Sequence, residues 1–195
     1  MKKVTGLLLV FLSLALVCCP ACLAEEAEGA PLAVDTDALI ERGECFAGLA
    51  PGASLEEAIA AGLLLPEEPD HTDAVGQIES KTFLLDAEQK VVFGELPVLA
   101  AWFQFMNDQL VDISLTLAEE LPQEEITALL TGLFGEPTDP AGINEETGLG
   151  SVQWHLKAGE PVTVQASLAQ RENGVFCVGI NVTYRDLIMA MRDAE

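Results

Sequence analysis

The segment Val98–Leu117 reads VLAAWFQFMNDQLVDISLTL, and it consists of two alternating apolar–polar runs on either side of Asn107-Asp108. Successive side chains of a strand point to opposite faces, so this alternation predicts two strands with one buried face each. Asn and Asp suit the backbone of a tight turn, which would join the strands into a hairpin. The predicted buried positions are Leu99, Ala101, Phe103, Phe105, Val111, Ile113, Leu115 and Leu117.

Further strands are predicted on both sides of this hairpin. Lys81–Leu85 and Lys90–Phe93 are expected to form a shorter hairpin, and three alternating strands follow residue 150. Their inward positions are Val152, Trp154 and Leu156, then Val162, Val164, Ala166 and Leu168, then Phe176, Val178, Ile180, Val182 and Tyr184. Short turns between consecutive strands favour antiparallel pairing.

Two main helices are predicted from apolar residues that recur every three or four positions. The first follows Ser54, which forms a capping-box pattern with Glu57, and the second lies between residues 122 and 135. Their stripes are Leu55, Ala58, Ile59, Gly62 and Leu63, then Ile126, Leu129, Leu130, Leu133 and Phe134. Shorter helices are expected at residues 35–42 and 185–192.

These elements predict the α+β class, with an antiparallel sheet of about six to seven strands and the two main helices packed on one face. Residues 46–192 are expected to form a single α+β domain, preceded by an acidic linker and short helix at residues 25–45. The order of elements is also compatible with a two-half duplication of residues 46–118 and 122–184.

The N-terminus has the pattern of a secretory signal peptide, expected at residues 1–24. Two lysines precede the uncharged run Gly6–Val17, which is shorter than the roughly 20 residues that cross a bilayer. Cleavage near Ala24 would give a secreted or envelope-associated protein without a transmembrane helix. The alternative is a lipoprotein signal in which Cys22 receives lipid, although Cys19 and Pro20 depart from its usual residues.

The charge balance excludes two classes of partner. The chain has 32 acidic and 9 basic residues and a net charge of −23. Nucleic-acid binding requires clustered cations that displace counterions from phosphates. An anionic membrane surface would repel the chain for the same reason. The sequence therefore predicts neither a nucleic-acid partner nor binding to an anionic membrane surface.

Of the five cysteines, three lie in the predicted signal peptide, and Cys45 and Cys177 remain. An even number of cysteines in an exported protein permits a disulfide. The alternation also places Cys177 on the face opposite the core side chains. We therefore predict a disulfide between Cys45 and Cys177, with two buried free thiols as the alternative.

Two segments carry a resemblance to known proteins. FAGLAPGASLEE at residues 46–57 is similar to the start of a helix in many small exported bacterial domains. LTGLFGEP at residues 130–137, followed by strands with Trp154, resembles the small outer-membrane lipoprotein and β-lactamase-inhibitor-protein fold. The resemblance covers residues 46–184 and implies a protein-binding module without catalysis. Such a likeness supports the fold more than the function.

The sequence contains no nucleotide-binding loop, nucleophile elbow or zinc-protease helix. We therefore assign no catalytic residue, metal ligand or cofactor. Asp70-His71-Thr72-Asp73 could offer ligands to a cation, but a solvated acidic loop is the simpler interpretation. A secreted hydrolase with paired carboxylates remains an alternative, because the separation it needs is spatial. A structural accessory subunit is a further alternative function.

The outward positions of the predicted strands are mostly amides and hydroxyls, with Asp112 and Lys157 as the charged exceptions. Trp102 lies in the register opposite Phe103 and so belongs to this second face. Aromatic residues anchor interfaces, and neutral groups cost little to desolvate; the alternative is that β-propensity alone selects Thr and Gln there. The predicted binding residues are Trp102, Gln104, Gln153, His155 and Gln165.

From this face we expect an exported, non-catalytic protein-binding module at the bacterial cell envelope. Its partner would be a protein or a glycan. The sequence does not indicate an oligomeric state.

Overall fold

The computed structural model describes residues 31–138, 149–158, 160–170 and 176–194. Within these ranges the chain forms a mixed arrangement of nine strands and four helices. The elements are, in chain order, β1 (Leu32–Ala33), α1 (Thr36–Arg42), α2 (Leu55–Ala60), β2 (His71–Val75), β3 (Ile78–Leu84), β4 (Val91–Phe93), β5 (Leu96–Met106), β6 (Gln109–Leu117), α3 (Gln123–Phe134), β7 (Leu149–Ala158), β8 (Glu160–Gln170), β9 (Phe176–Tyr184) and α4 (Arg185–Asp193).

One sheet contains all the described strands. Its main order is β1-β4-β5-β6-β9-β8-β7, and the β2–β3 hairpin joins it because β3 also pairs with β5. The pairings among described strands are antiparallel, except that β1 runs parallel to β4. The predicted combination of helices with a mostly antiparallel sheet is therefore confirmed. The sheet has more strands than the six to seven expected.

The additional strands are β1 and β2. Strand β1 has two residues, too few for a periodic pattern. Strand β2 reads HTDAV, and residues 71–74 are exposed, so it lacks the buried alternate positions that mark a half-buried strand. Backbone pairing with β3 forms this strand without contribution from an apolar face.

The β5–β6 hairpin forms as predicted. Asn107 and Asp108 occupy its turn with positive φ values of 47° and 61°. A two-residue turn with both residues in this region matches the right-handed twist of the flanking strands. Asn and Asp adopt this conformation more readily than most other residues.

The register of the hairpin shifts at Leu99, which corrects one predicted core position. Val98 pairs with Leu117, and the next pair on the ladder is Ala100 with Thr116. Leu99 is therefore the extra residue of a β-bulge. Its side chain is 73% exposed, so its predicted place on the buried face is wrong. The other predicted inward residues of this strand are buried.

Helix α1 agrees with its prediction at both ends. The Asp35 carboxylate accepts a hydrogen bond from the backbone nitrogen of Ala38 at 2.8 Å, which satisfies one of the free amides of the first turn. The helix ends at Gly43, which has a φ of 74°. Glycine reaches this left-handed region without the steric cost of a Cβ atom.

Helix α2 has the predicted capping box but is shorter than its apolar stripe. The Ser54 backbone donates to the Glu57 carboxylate at 2.8 Å, and the Glu57 backbone donates to the Ser54 hydroxyl at 3.2 Å. The helix stops at Ala60, and Gly62 follows with a φ of 97°. Ile59 is 50% exposed, so its predicted place in the core is wrong.

A single hydrophobic cluster contains buried residues of three helices and of the sheet. Leu39 of α1, Ala58 of α2, and Ile126 and Leu130 of α3 belong to this cluster together with inward side chains of β3 to β9. The Trp154 indole nitrogen donates to the Gly135 carbonyl at 2.8 Å and so fixes the end of α3 against β7. Among the described residues, no helix is long and apolar enough to cross a membrane.

Candidate binding face of the sheet

The strand register places the five predicted binding residues on one side of the sheet, in two neighbouring rows that cross it. One row consists of Gln153, Gln165, Asn181, Ser114, Trp102 and Leu84, and the next consists of His155, Thr163, Thr183, Asp112, Gln104 and Thr82. We call this side of the sheet the polar face. The side chain of His155 lies outside the described residues, so His155 is placed by its backbone alone.

Side chains of the polar face are half-buried, whereas those on the opposite side of the same strands are buried. Trp102, Gln104, Gln153 and Gln165 all have intermediate exposure. Phe103, the neighbour of Trp102 on β5, is fully buried. The predicted register, with Trp102 opposite Phe103, is therefore confirmed. The role of these residues in binding stays a prediction.

Hydrogen bonds between strands hold three of the amides in place. The Gln104 side-chain nitrogen donates to the Ser80 hydroxyl at 2.8 Å. The Gln153 nitrogen donates to the Gln165 side-chain oxygen at 3.3 Å, between directly paired residues. An amide has two donor hydrogens and an acceptor oxygen, so each of these groups keeps capacity for further bonds. These amides are thus held in place, and part of their hydrogen-bonding capacity remains unused.

Asp112 lies near the centre of the polar face and has an unusual environment. Ser114 and Thr183 donate their hydroxyls to its two carboxylate oxygens, at 2.9 and 2.5 Å. Burial raises the pKa of Asp112, and these two hydrogen bonds oppose the increase only in part. Among the described residues, no cation forms an ion pair with it. The sequence identified Asp112 as a charged exception but did not assign it to the site.

An apolar groove adjoins the polar face where β3 and β4 meet β5. It has a volume of about 480 Å³, within the range of pockets that hold small ligands. Its apolar lining includes Leu84, Val92, Pro97, Leu99 and Ala100. Leu84, which lines the groove, pairs with Trp102 across the β3–β5 ladder. The groove therefore lies next to Trp102 on the polar face. Sequence alternation missed this groove because the bulge at Leu99 forms part of its wall.

Helix α4 lies close to the β2–β3 and β5–β6 turns. Met191 and Ala194 line a small cavity together with Ile78 and Asn107, and α4 also contacts β6 and β8. Ile78 and Val111 are buried although they lie outside the main core cluster.

Cys45 is a free, buried thiol, which contradicts the predicted disulfide with Cys177. Cys45 lies close to Tyr184, at the end of β9. Cys177 lies seven residues before Tyr184 in the same strand. At the usual rise of about 3.3 Å per residue, the Cα atoms of Cys177 and Tyr184 are about 23 Å apart. A disulfide needs Cα atoms within about 7 Å of each other. Strand β9 itself therefore keeps the two cysteines apart; the Cys177 side chain lies outside the described residues.

Asp70 precedes strand β2 and Asp73 lies within it, and both carboxylates accept hydrogen bonds from backbone nitrogens. The Asp70 carboxylate accepts a hydrogen bond from the Leu84 backbone at 2.8 Å, and Asp73 accepts one from Ala74 at 2.8 Å. Both bonds fix the β2–β3 hairpin or the segment before it. Within the described ranges, no three His, Cys, Asp or Glu side chains are grouped so that they could hold a metal ion.

No family model, curated protein or solved structure matches the chain.

Proposed function

We propose that the protein is an exported, non-catalytic protein-binding module that acts at the bacterial cell envelope. The polar face would be its partner surface. The observation that carries this proposal is the composition of that face, where two rows consist mostly of amides and hydroxyls and one row includes the half-buried Trp102. Neutral polar groups are cheaper to desolvate than charges, and aromatic side chains dominate the energy of many interfaces.

The distribution of buried side chains supports the same surface by exclusion. Helices α2 and α3 contribute the buried residues Ala58, Ile126 and Leu130 to the hydrophobic cluster. We infer that both helices pack on the side of the sheet opposite the polar face and leave that face for a partner. The resemblance to the small outer-membrane lipoprotein and β-lactamase-inhibitor-protein fold favours the same role, because it implies protein binding without catalysis.

The proposed location depends on the N-terminal sequence. Two lysines followed by a short apolar run are typical of a secretory signal. Expression in a bacterium that exports the chain, followed by intact-mass measurement, tests this part. We expect a mass that corresponds to loss of residues 1–24. A lipid-bearing Cys22 would instead establish membrane anchoring, and a mass that retains residues 1–23 would exclude export by signal cleavage.

Affinity capture tests the partner surface. The purified protein is immobilised and exposed to envelope extract of the organism that encodes it, and captured proteins are identified by mass spectrometry. Trp102→Ala should weaken capture by about 2 kcal/mol, or roughly 30-fold, if Trp102 is an interface anchor. The matched control is Ile59→Ala, which removes an exposed apolar side chain of α2.

Three outcomes of the capture experiment are distinct. A protein lost with Trp102→Ala and retained with Ile59→Ala supports the proposal. A protein captured equally by both variants excludes the polar face. Retention of polysaccharide instead of protein would assign the face to a glycan.

A further inference from the structure

The polar face combines one carboxylate and one apolar groove at a fixed separation. Strands β5, β6 and β9 contain a single charged residue, Asp112. The groove beside Leu99 opens on β5, and Asp112 pairs with Gln104 farther along that strand. Ala100 and Gln104 are four positions apart, which corresponds to about 13 Å along an extended strand.

Asp112 is costly to the folded protein in its present environment. Two neutral hydroxyls replace the water that its carboxylate loses on burial, and no described cation compensates the charge. Local departures from a well-satisfied structure are expected at functional or strained sites. A partner's ammonium or guanidinium group would supply the missing countercharge and bind through charge-assisted hydrogen bonds.

The groove at Leu99 favours an apolar group of the partner rather than a charged one. Leu99 exposes an aliphatic side chain on a bulge, and the adjoining lining is mostly apolar. An aliphatic side chain from a partner would bury this surface, and Trp102 adjoins the groove on the side toward Asp112. The net charge of −23 would also accelerate the approach of a basic partner.

We propose that the polar face binds an extended, basic protein segment in which a Lys or Arg that reaches Asp112 lies four residues from an apolar side chain that enters the groove at Leu99. This inference rests on the proposed function, because it specifies the partner of the same face. Residues four apart in an extended segment point to one side, whereas residues three apart point to opposite sides. The spacing therefore distinguishes specific recognition from general attraction to an acidic protein.

Short synthetic peptides provide the probe. Each is a neutral Ser/Thr peptide with one Arg and one Leu, four positions apart, made in both orders because the direction of the bound segment is open. The control peptides place the same two residues three positions apart or replace Arg by Gln. Binding to the purified protein is measured by NMR titration, which also locates the shifted amides.

We expect the four-residue spacing to bind about tenfold more tightly than the three-residue spacing, with shifts at Asp112 and Leu99. Asp112→Asn and Leu99→Ser should each remove that advantage. The matched controls Glu68→Gln and Leu64→Ser change an exposed acid and an exposed leucine outside the groove. They should leave the affinity advantage of the four-residue spacing unchanged.

Several results would overturn the inference. The first is equal affinity of the protein for peptides with either spacing, and the second is no binding of any peptide. The third is a loss of the spacing advantage in the control variants as large as that in Asp112→Asn and Leu99→Ser. Binding of cellohexaose or chitohexaose in place of the peptides would assign the face to a glycan. If the peptides fail while Trp102→Ala still abolishes capture of a protein partner, the inference is wrong and the proposed function stands.

Discussion

Thr183 donates its hydroxyl to Asp112 at 2.5 Å, directly across the β6–β9 ladder. The two residues are register partners on the polar face, and Ser114 occupies the other carboxylate oxygen at 2.9 Å. Both oxygens are therefore held by short-range donors that bear no charge. Because burial outweighs these bonds, the pKa of Asp112 lies above its ordinary value.

Asp112→Asn should stabilise the protein at pH 7. The substitution removes a buried charge, and the amide can accept from one hydroxyl and donate to the other, since hydroxyl groups rotate. We expect the free energy of unfolding to rise by about 0.5–2 kcal/mol, which is typical when a destabilising group is replaced. Urea unfolding of both proteins measures the difference, and a loss of stability would show that the charge contributes favourably.

The pH dependence of this difference follows from the direction of the pKa shift. A raised pKa means that the folded state binds the Asp112 proton more tightly than the unfolded state does. The stability that this proton contributes is fully present below the unfolded pKa and is lost as pH rises through the folded pKa. The advantage of Asp112→Asn should therefore grow from about pH 4 upward and then level off. An advantage that is independent of pH would contradict a raised pKa.

The cap of α1 provides a local test of the fold. Asp35→Ala removes the acceptor of the Ala38 backbone N–H and should lower the free energy of unfolding by about 1 kcal/mol. Asp37→Ala is the matched control, because Asp37 is an exposed acid of the first turn and contributes only a few tenths of a kcal/mol through the helix dipole. Equal effects in thermal or urea unfolding would mean that charge, not capping, is responsible.

The free thiol of Cys45 should be unreactive in the folded protein. Burial raises the pKa of Cys45 and withholds it from solvent, so little thiolate is present to attack a reagent. Iodoacetamide should label Cys45 only after denaturation, as shown by peptide mapping. Labelling under native conditions would show that the Cys45 segment opens, and recovery of a linked Cys45–Cys177 peptide would reinstate the disulfide.

Local patterns predicted much of this fold. The capping pattern at Ser54, the turn at Asn107-Asp108 and the position of Trp102 all depend on residues within a few positions of one another. Such features need no knowledge of distant contacts. The same alternation that located the core side chains also located the polar face, because one register determines both.

Features that depend on distant pairing could not be predicted in this way. Strand β2 forms by pairing with β3, without an apolar pattern of its own. The Asp112–Thr183 contact joins residues that are 71 positions apart. The disulfide prediction failed because the even count of cysteines gives no distance, whereas strand β9 separates Cys177 from the Tyr184 end near Cys45.

The bulge at Leu99 makes a prediction that separates the observed register from strict alternation. Strict alternation places Leu99 in the core with Phe103, and a Leu→Ala change there would cost about 2–5 kcal/mol. In the observed register Leu99 is the extra residue, with its side chain 73% exposed. Leu99→Ala should therefore change the free energy of unfolding by no more than about 0.5 kcal/mol.

Leu117→Ala is the matched comparison, because Leu117 lies beside the bulge, opposite Val98, and is buried. Leu117→Ala should lower the free energy of unfolding by about 2–5 kcal/mol, as expected for a core leucine. Urea unfolding of the two variants and the unmodified protein gives both values under one condition. Comparable losses at the two positions would mean that Leu99 is packed inward, and the groove that it forms beside Trp102 would then not exist.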